Sequence, residues 1–187
     1  MQMILKKLVL LIFITFNGFI FGQNCKYEIN EVDKFTGKVT KITKSKKVIT
    51  TFLTAGSFSM KRVDSDYFIV LNYGLSRYKK FEPYNINSGA QLILLLQNGE
   101  KITLTTPDEI KGIKKTTIGI PPVYSCYLND VNYPVEKKSI EMLLKSKVTN
   151  IRFYRTESNG KEDYIDSELK SKAQEGIQDL IMCVYKD

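Results

Sequence analysis
After its leading apolar run, the chain places hydrophobic residues at alternate positions or in short β-branched runs for most of its length, and only in the last third at helical spacing. Tyr27, Ile29 and Glu31 face one way and Glu28, Asn30 and Val32 the other, up to the turn-forming stretch 33–37, which predicts a first strand. Residues 38–43 alternate less cleanly and residues 48–53 are β-branched; both predict strands, separated by a basic turn at 44–47. Segments 57–63 and 67–73 flank Asp64-Ser65-Asp66, three turn-forming residues, and predict a hairpin. A second hairpin is predicted where 92–96 and 102–105 flank Gln97-Asn98-Gly99-Glu100, because Asn-Gly takes the positive backbone angles of a tight turn. A further extended piece is predicted at 123–128.

Beyond Pro134 the period changes. Ile140, Leu143 and Leu144 fall on one side of a helix, with Lys137, Lys138, Glu141 and Lys145 largely on the other. Residues 148–154 alternate again and 164–165 make a short extended piece, after which Asp166 or Ser167 can cap a helix striped by Leu169, Ala173, Ile177, Leu180, Ile181 and Val184. Many strands followed by helix, strand and helix predict an α+β fold: a mostly antiparallel β-sheet with two helices in the C-terminal third packed on it. Two irregular stretches stand out, 77–89 and 106–122, the second with Pro107, Gly112, Gly119 and Pro121-Pro122. Long loops of this kind are often functional or mobile.

The N-terminus adds a destination. Lys6 and Lys7, an apolar run over 8–21 and the small Gly22 have the layout of a secretory signal peptide. That run of about 14 residues is short of the roughly 20 a spanning helix needs. The expected division is therefore a signal peptide over 1–22 and a single α+β domain over 23–187, periplasmic or secreted, with no transmembrane anchor after cleavage. Lipidation of Cys25 is a lesser alternative, because Gln23 and Asn24 separate it from Gly22.

Without Lys6 and Lys7, the 28 Lys+Arg fall to 26 against 20 Asp+Glu, a net charge of +6. Only Arg62, Arg77, Arg152 and Arg155 are arginines, so the excess is mostly solvated ammonium, poorer than guanidinium at planar recognition of phosphate or carboxylate. The basic clusters at 44–47, 79–80, 114–115 and 137–138 are short and far apart. They make a patch for a polyanion or a membrane surface only if the fold gathers them. No nucleic-acid-binding motif is present, and nucleic acid is not an expected partner.

With His at 0, the chain can form no Ser-His-Asp or Cys-His nucleophile pair, no imidazole base and no His metal ligand. It also lacks a Gly-rich phosphate loop, a Cys-x-x-Cys pair and a Gly-x-Ser-x-Gly elbow, so no catalytic, cofactor-binding or metal-binding residue is expected. The acids at Asp64 and Asp66 suit a turn. Those at Glu162, Asp163, Asp166 and Glu168 suit a helix N-terminus better than a calcium loop. Cys25, Cys126 and Cys183 allow one disulfide and one spare thiol. Cys126 and Cys183 are the candidate pair if the C-terminal helix packs on the strand carrying Cys126, and two buried free thiols are the equal alternative. With 11 Tyr, 10 Phe and no Trp, recognition of peptide or carbohydrate through rings falls most naturally to the loop bearing Arg77, Tyr78, Lys79, Lys80, Phe81 and Tyr84.

The segment Tyr27-Glu28-Ile29-Asn30-Glu31-Val32-Asp33-Lys34-Phe35-Thr36-Gly37 after the signal peptide resembles small exported bacterial proteins of unknown function. So do the Gln97-Asn98-Gly99-Glu100 hairpin and Val148-Thr149-Asn150-Ile151-Arg152-Phe153 before a terminal helix. The resemblance implies export and an α+β domain, and supplies no activity and no site residues. The expectation is an exported, non-catalytic binding or interaction domain in the cell envelope or outside it, with an envelope protein or a polysaccharide as partner. The alternatives are a His-free enzyme working through carboxylates or Lys, and a polyanion or membrane-surface binder.

Overall fold
The computed structural model describes residues 25–185, so the expected signal peptide lies outside the described residues. Among the described residues, eleven strands and two helices run in the order β1 (Tyr27–Val32), β2 (Val39–Thr43), β3 (Lys46–Thr50), β4 (Thr54–Val63), β5 (Asp66–Arg77), β6 (Gln91–Leu96), β7 (Lys101–Thr105), β8 (Ile113–Thr117), β9 (Val123–Val135), α1 (Lys137–Lys145), β10 (Val148–Thr156), β11 (Glu162–Glu168) and α2 (Ser171–Tyr185). The fold is α+β, and every strand pairing is antiparallel.

A seven-stranded sheet has the order β1-β2-β4-β5-β9-β8, with β3 also on β4, and a four-stranded sheet has the order β11-β10-β6-β7. The long β4 serves two neighbours: Lys61, Arg62 and Val63 pair with β2, whereas residues from Ala55 to Phe58 pair with β3. At that division the Met60 N–H donates to Thr43 Oγ1 at 2.9 Å. Leu92, Leu94 and Leu96 of β6, Ile69, Leu71 and Tyr73 of β5, and Ile151 and Phe153 of β10 alternate into a common core between the sheets. Tyr73 meets Phe153 edge-on across it, with ring centroids 4.8 Å apart. Helix α2 buries Ile177, Leu180, Ile181 and Val184 against β2, β3 and β4, and α1 buries Ile140 and Leu143.

Several boundaries differ from the sequence pattern for identifiable reasons. The first basic turn contracts to Lys44-Ser45, because Lys46 and Lys47 already pair with Phe58 and Ser57. The extended piece at 123–128 continues to Val135 and carries Pro134 inside the strand. Since β8 pairs with β9 only from Val123 to Tyr127, the later half of β9 hydrogen-bonds to no described strand on that side, where a proline is tolerated. The stretch 106–122 contains β8, whose five residues are all exposed and carry no hydrophobic alternation to betray it. Asp166 and Ser167 do not cap the last helix. They lie in β11, where Asp166 forms a two-pronged ion pair with Arg152 at 2.5 and 2.6 Å, and α2 begins only at Ser171.

The disulfide also differs from the expected pair. Cys183 is bonded to Cys25, and Cys126 is a buried free thiol. Helix α2 lies over β2–β4, whereas Cys126 sits on β9, beyond β5 in the sheet; Cys25 leads directly into β1, beside β2. Next to the bridge, the Tyr27 hydroxyl donates to the Cys183 carbonyl at 2.7 Å. The bridge spans 158 residues. On the chain-entropy account, closing so long a loop stabilises the fold by about 5 kcal/mol.

Candidate binding surfaces
The two irregular stretches nominated by the sequence meet. Ile86 and Ile110 exchange backbone hydrogen bonds of 2.8 Å, Asn85 does the same with Thr156 of β10, and the Gly112 N–H donates to Asn85 Oδ1 at 3.0 Å. A Cβ on Gly112 would lie 2.0 Å from the Tyr84 carbonyl oxygen and 2.7 Å from Cys126 Sγ, so only glycine fits this approach. Burial pushes the Cys126 thiol up from its ordinary pKa, with the Tyr84 carbonyl contact acting weakly the other way; this is an inert side chain rather than a nucleophile.

Over this junction lies Arg155, only 3% exposed, its guanidinium 3.5 Å from the centre of the Tyr84 ring. Its Nε and Nη2 both donate to Asp163 Oδ2, at 2.9 and 2.6 Å, while Nη1 has no hydrogen-bond partner among the described residues. The neighbouring Tyr73 hydroxyl is also buried; burial raises its pKa, and the charge on Arg155 opposes the rise. Three of the six acids singled out in the sequence have structural partners. Asp64 accepts the Val39 N–H at 2.8 Å, Asp163 holds Arg155 and Asp166 holds Arg152. The Asp166 carboxyl is held below the usual range by the Arg152 hydrogen bonds, the opposite of what a general acid requires.

The six residues of the expected recognition loop therefore divide. Tyr84 is buried beneath Arg155, and Phe81 packs on Tyr84 with the Arg77 guanidinium 5.4 Å from its ring centre. Arg77, Tyr78, Lys79 and Lys80 are exposed.

A second surface was not legible in the sequence. An open groove of about 1200 Å³ runs between β7 and the facing end of the larger sheet. Thr103, Thr105 and Thr106 line one wall, and Tyr67, Phe68, Pro134 and Val135 the other. Among the described residues, strand β7 pairs only with β6 and is an edge. The Leu96 N–H donates to the Glu100 carbonyl and the Thr106 N–H to the Ala90 carbonyl, which sets the alternation of the ladder between them. Ile102 and Leu104 thus bond inward to β6, and the backbone groups of Lys101, Thr103 and Thr105 point outward. Other edge strands carry charge on their exposed positions: Lys46 and Lys47 on β3, Lys114 and Lys115 on β8, and Glu162, Asp166 and Glu168 on β11. Charge of this kind blocks strand addition. On β7 the charge is confined to Lys101 at its start, and the exposed positions that follow are Thr103 and Thr105.

A scan of protein-family models, a search of curated proteins and a search of solved structures each return no match to this chain.

Proposed function
We propose that this protein is an exported, non-catalytic binding domain that takes an extended polypeptide segment as an added strand along β7. The observation that carries the reading is the uncharged free edge at Thr103 and Thr105 facing an open groove. Added strands gain affinity from main-chain hydrogen bonds and specificity from alternate side chains entering pockets. At about 3.4 Å per residue, the five-residue edge offers register for a segment of about five to seven residues. Export is supported by the leader-like residues 1–22 and by the Cys25–Cys183 bridge, a bond that persists in oxidising compartments. An envelope protein with an exposed extended segment is the partner this chemistry favours over a polysaccharide, which has no peptide backbone to complete the ladder.

Peptide display against the folded, disulfide-bonded chain, followed by amide NMR, tests the reading. Selected peptides are expected to perturb the amides of Lys101, Thr103 and Thr105 and to lose binding in Thr103→Pro. That substitution removes an outward N–H and no bond of the existing sheet, so its melting temperature should stay close to the parent's. Selection of no peptide, or of peptides indifferent to Thr103→Pro, would sink the proposal.

A further inference from the structure
The end of the seven-stranded sheet away from the β7 groove gathers three loops that are distant in sequence. Thr54 pairs with Leu75, Arg77 with Tyr124 and Thr117 with Val123, so the β3–β4 turn, the exit from β5 and the β8–β9 tip project from the same end. Each presents an apolar side chain. Phe52 is 87% exposed, Ile118 98% and Ile120 105%, with the half-exposed Tyr78 between them in the strand order. Arg77, Lys79 and Lys80 at the exit from β5 and Lys114 and Lys115 on β8 lie behind these tips, which brings together two of the basic clusters that are separate in sequence. Glu82 offsets part of this charge through an ion pair with Lys114 at 3.5 Å.

We infer that this end of the sheet docks on an anionic lipid bilayer, with Phe52, Ile118 and Ile120 entering the boundary between headgroups and acyl chains. Isolated side chains at the tips of convex turns do not line a pocket that a rigid partner could fill; they are shaped to enter a deformable apolar layer. Lys115 and Lys114 lie three and four residues behind Ile118, about 10–13 Å along the strand. An interfacial element buries its apolar face about 5–10 Å deep, which leaves these ammonium groups at the level of the lipid phosphates. Tyr78, and Tyr124 opposite Thr116, place amphipathic rings at the same level, where tyrosine is favoured. The β7 groove opens beside Asp66 and Val135, at the other end of the sheet, so the two surfaces can be occupied together.

Vesicle co-sedimentation of the chain recovered in its exported form tests the inference. The chain is expected to pellet with vesicles of phosphatidylglycerol mixed with phosphatidylcholine and to bind phosphatidylcholine alone at least about tenfold more weakly, with the difference shrinking as salt screens the lysines. The double substitution Ile118→Asp, Ile120→Asp should abolish pelleting, and Lys79→Ala with Lys80→Ala should weaken it, while Thr103→Pro leaves it unchanged. Absence of binding to anionic vesicles, or binding that survives the double substitution, overturns the inference. So does loss of self-association in the double variant without any vesicle binding by the parent, which would make the tips a contact between copies. A failed peptide selection at β7 leaves the vesicle result intact, so the two proposals fail separately.

Discussion

The loops 77–89 and 106–122 each have two halves with opposite fates. Tyr84 and Ile86 from the first, with Ile110 and Gly112 from the second, are drawn into a closed junction beneath Arg155, sealed by reciprocal backbone hydrogen bonds. A few residues away in the same loops, Tyr78, Ile118 and Ile120 extend into solvent. Both halves contain large apolar residues beside Pro and Gly, so composition does not separate them. What separates them is whether the backbone finds partners: the junction has a strand end at Thr156 and a second loop to bond to, and the tips lie beyond the last ladder pair. The junction is thus architecture, and the tips are surface available for contact.

The largest expected effect is at the closest approach in the junction. Gly112→Ala places a methyl group where the Tyr84 carbonyl oxygen already lies, and a backbone oxygen cannot move aside without breaking the Asn85 and Ile86 hydrogen bonds beside it. A loss of about 3 kcal/mol or more is expected, from urea unfolding monitored by circular dichroism. A variant as stable as the parent would mean that the two loops are not locked together. Next comes Asp163→Ala, which leaves the Arg155 guanidinium buried without its counter-ion. Breaking a fully buried pair costs about 3–5 kcal/mol; Asp163 is itself 34% exposed, so solvent moderates the loss to about 2–3 kcal/mol. The same melts would show this, and a change near zero would mean that water reaches Arg155 and that Tyr84 is not sealed.

Most of the secondary structure was legible because it rests on local signals. The Asn98-Gly99 hairpin, the helix bearing Ile177, Leu180, Ile181 and Val184, and the turn at Asp64 follow from period and turn chemistry, and Asp64 takes the positive φ of 54° that such a turn requires. What was not legible depends on which strands become neighbours. The pairing of Cys183 with Cys126 depended on the C-terminal helix packing on β9, and the placement of α2 over β2–β4 directs Cys183 to Cys25 instead. Thr103 and Thr105 read as the polar face of an ordinary strand, since nothing local marks β7 as an edge beside a groove. Arg155 alternates with Phe153 and Ile151 on the inner face of β10, a position that a charge occupies only because Asp163 and Tyr84 meet it from other segments. For the tips a signal was present: Ile118 and Ile120 stand among Gly and Pro with no alternation to place them in a core. Their common location with Phe52 and Tyr78 required the strand register.

The smallest expected effect sharpens the comparison most. Ile118→Asp with Ile120→Asp removes two large apolar side chains, which in the junction or the core would cost several kcal/mol each. At the tips both side chains are fully exposed among the described residues, and the unfolded chain exposes them no more than the folded one does. Unfolding free energy should therefore change by no more than about 0.5 kcal/mol, as for surface substitutions without caps, ion pairs or packing to disturb. A clear destabilisation in urea melts would show that the tips pack onto the fold and belong with Tyr84 and Gly112, and the contrast between the two halves of each loop would then collapse. Unchanged stability together with lost vesicle binding would separate the roles fully, since the residues that hold the fold together and those that meet the membrane would then share two loops without sharing a function.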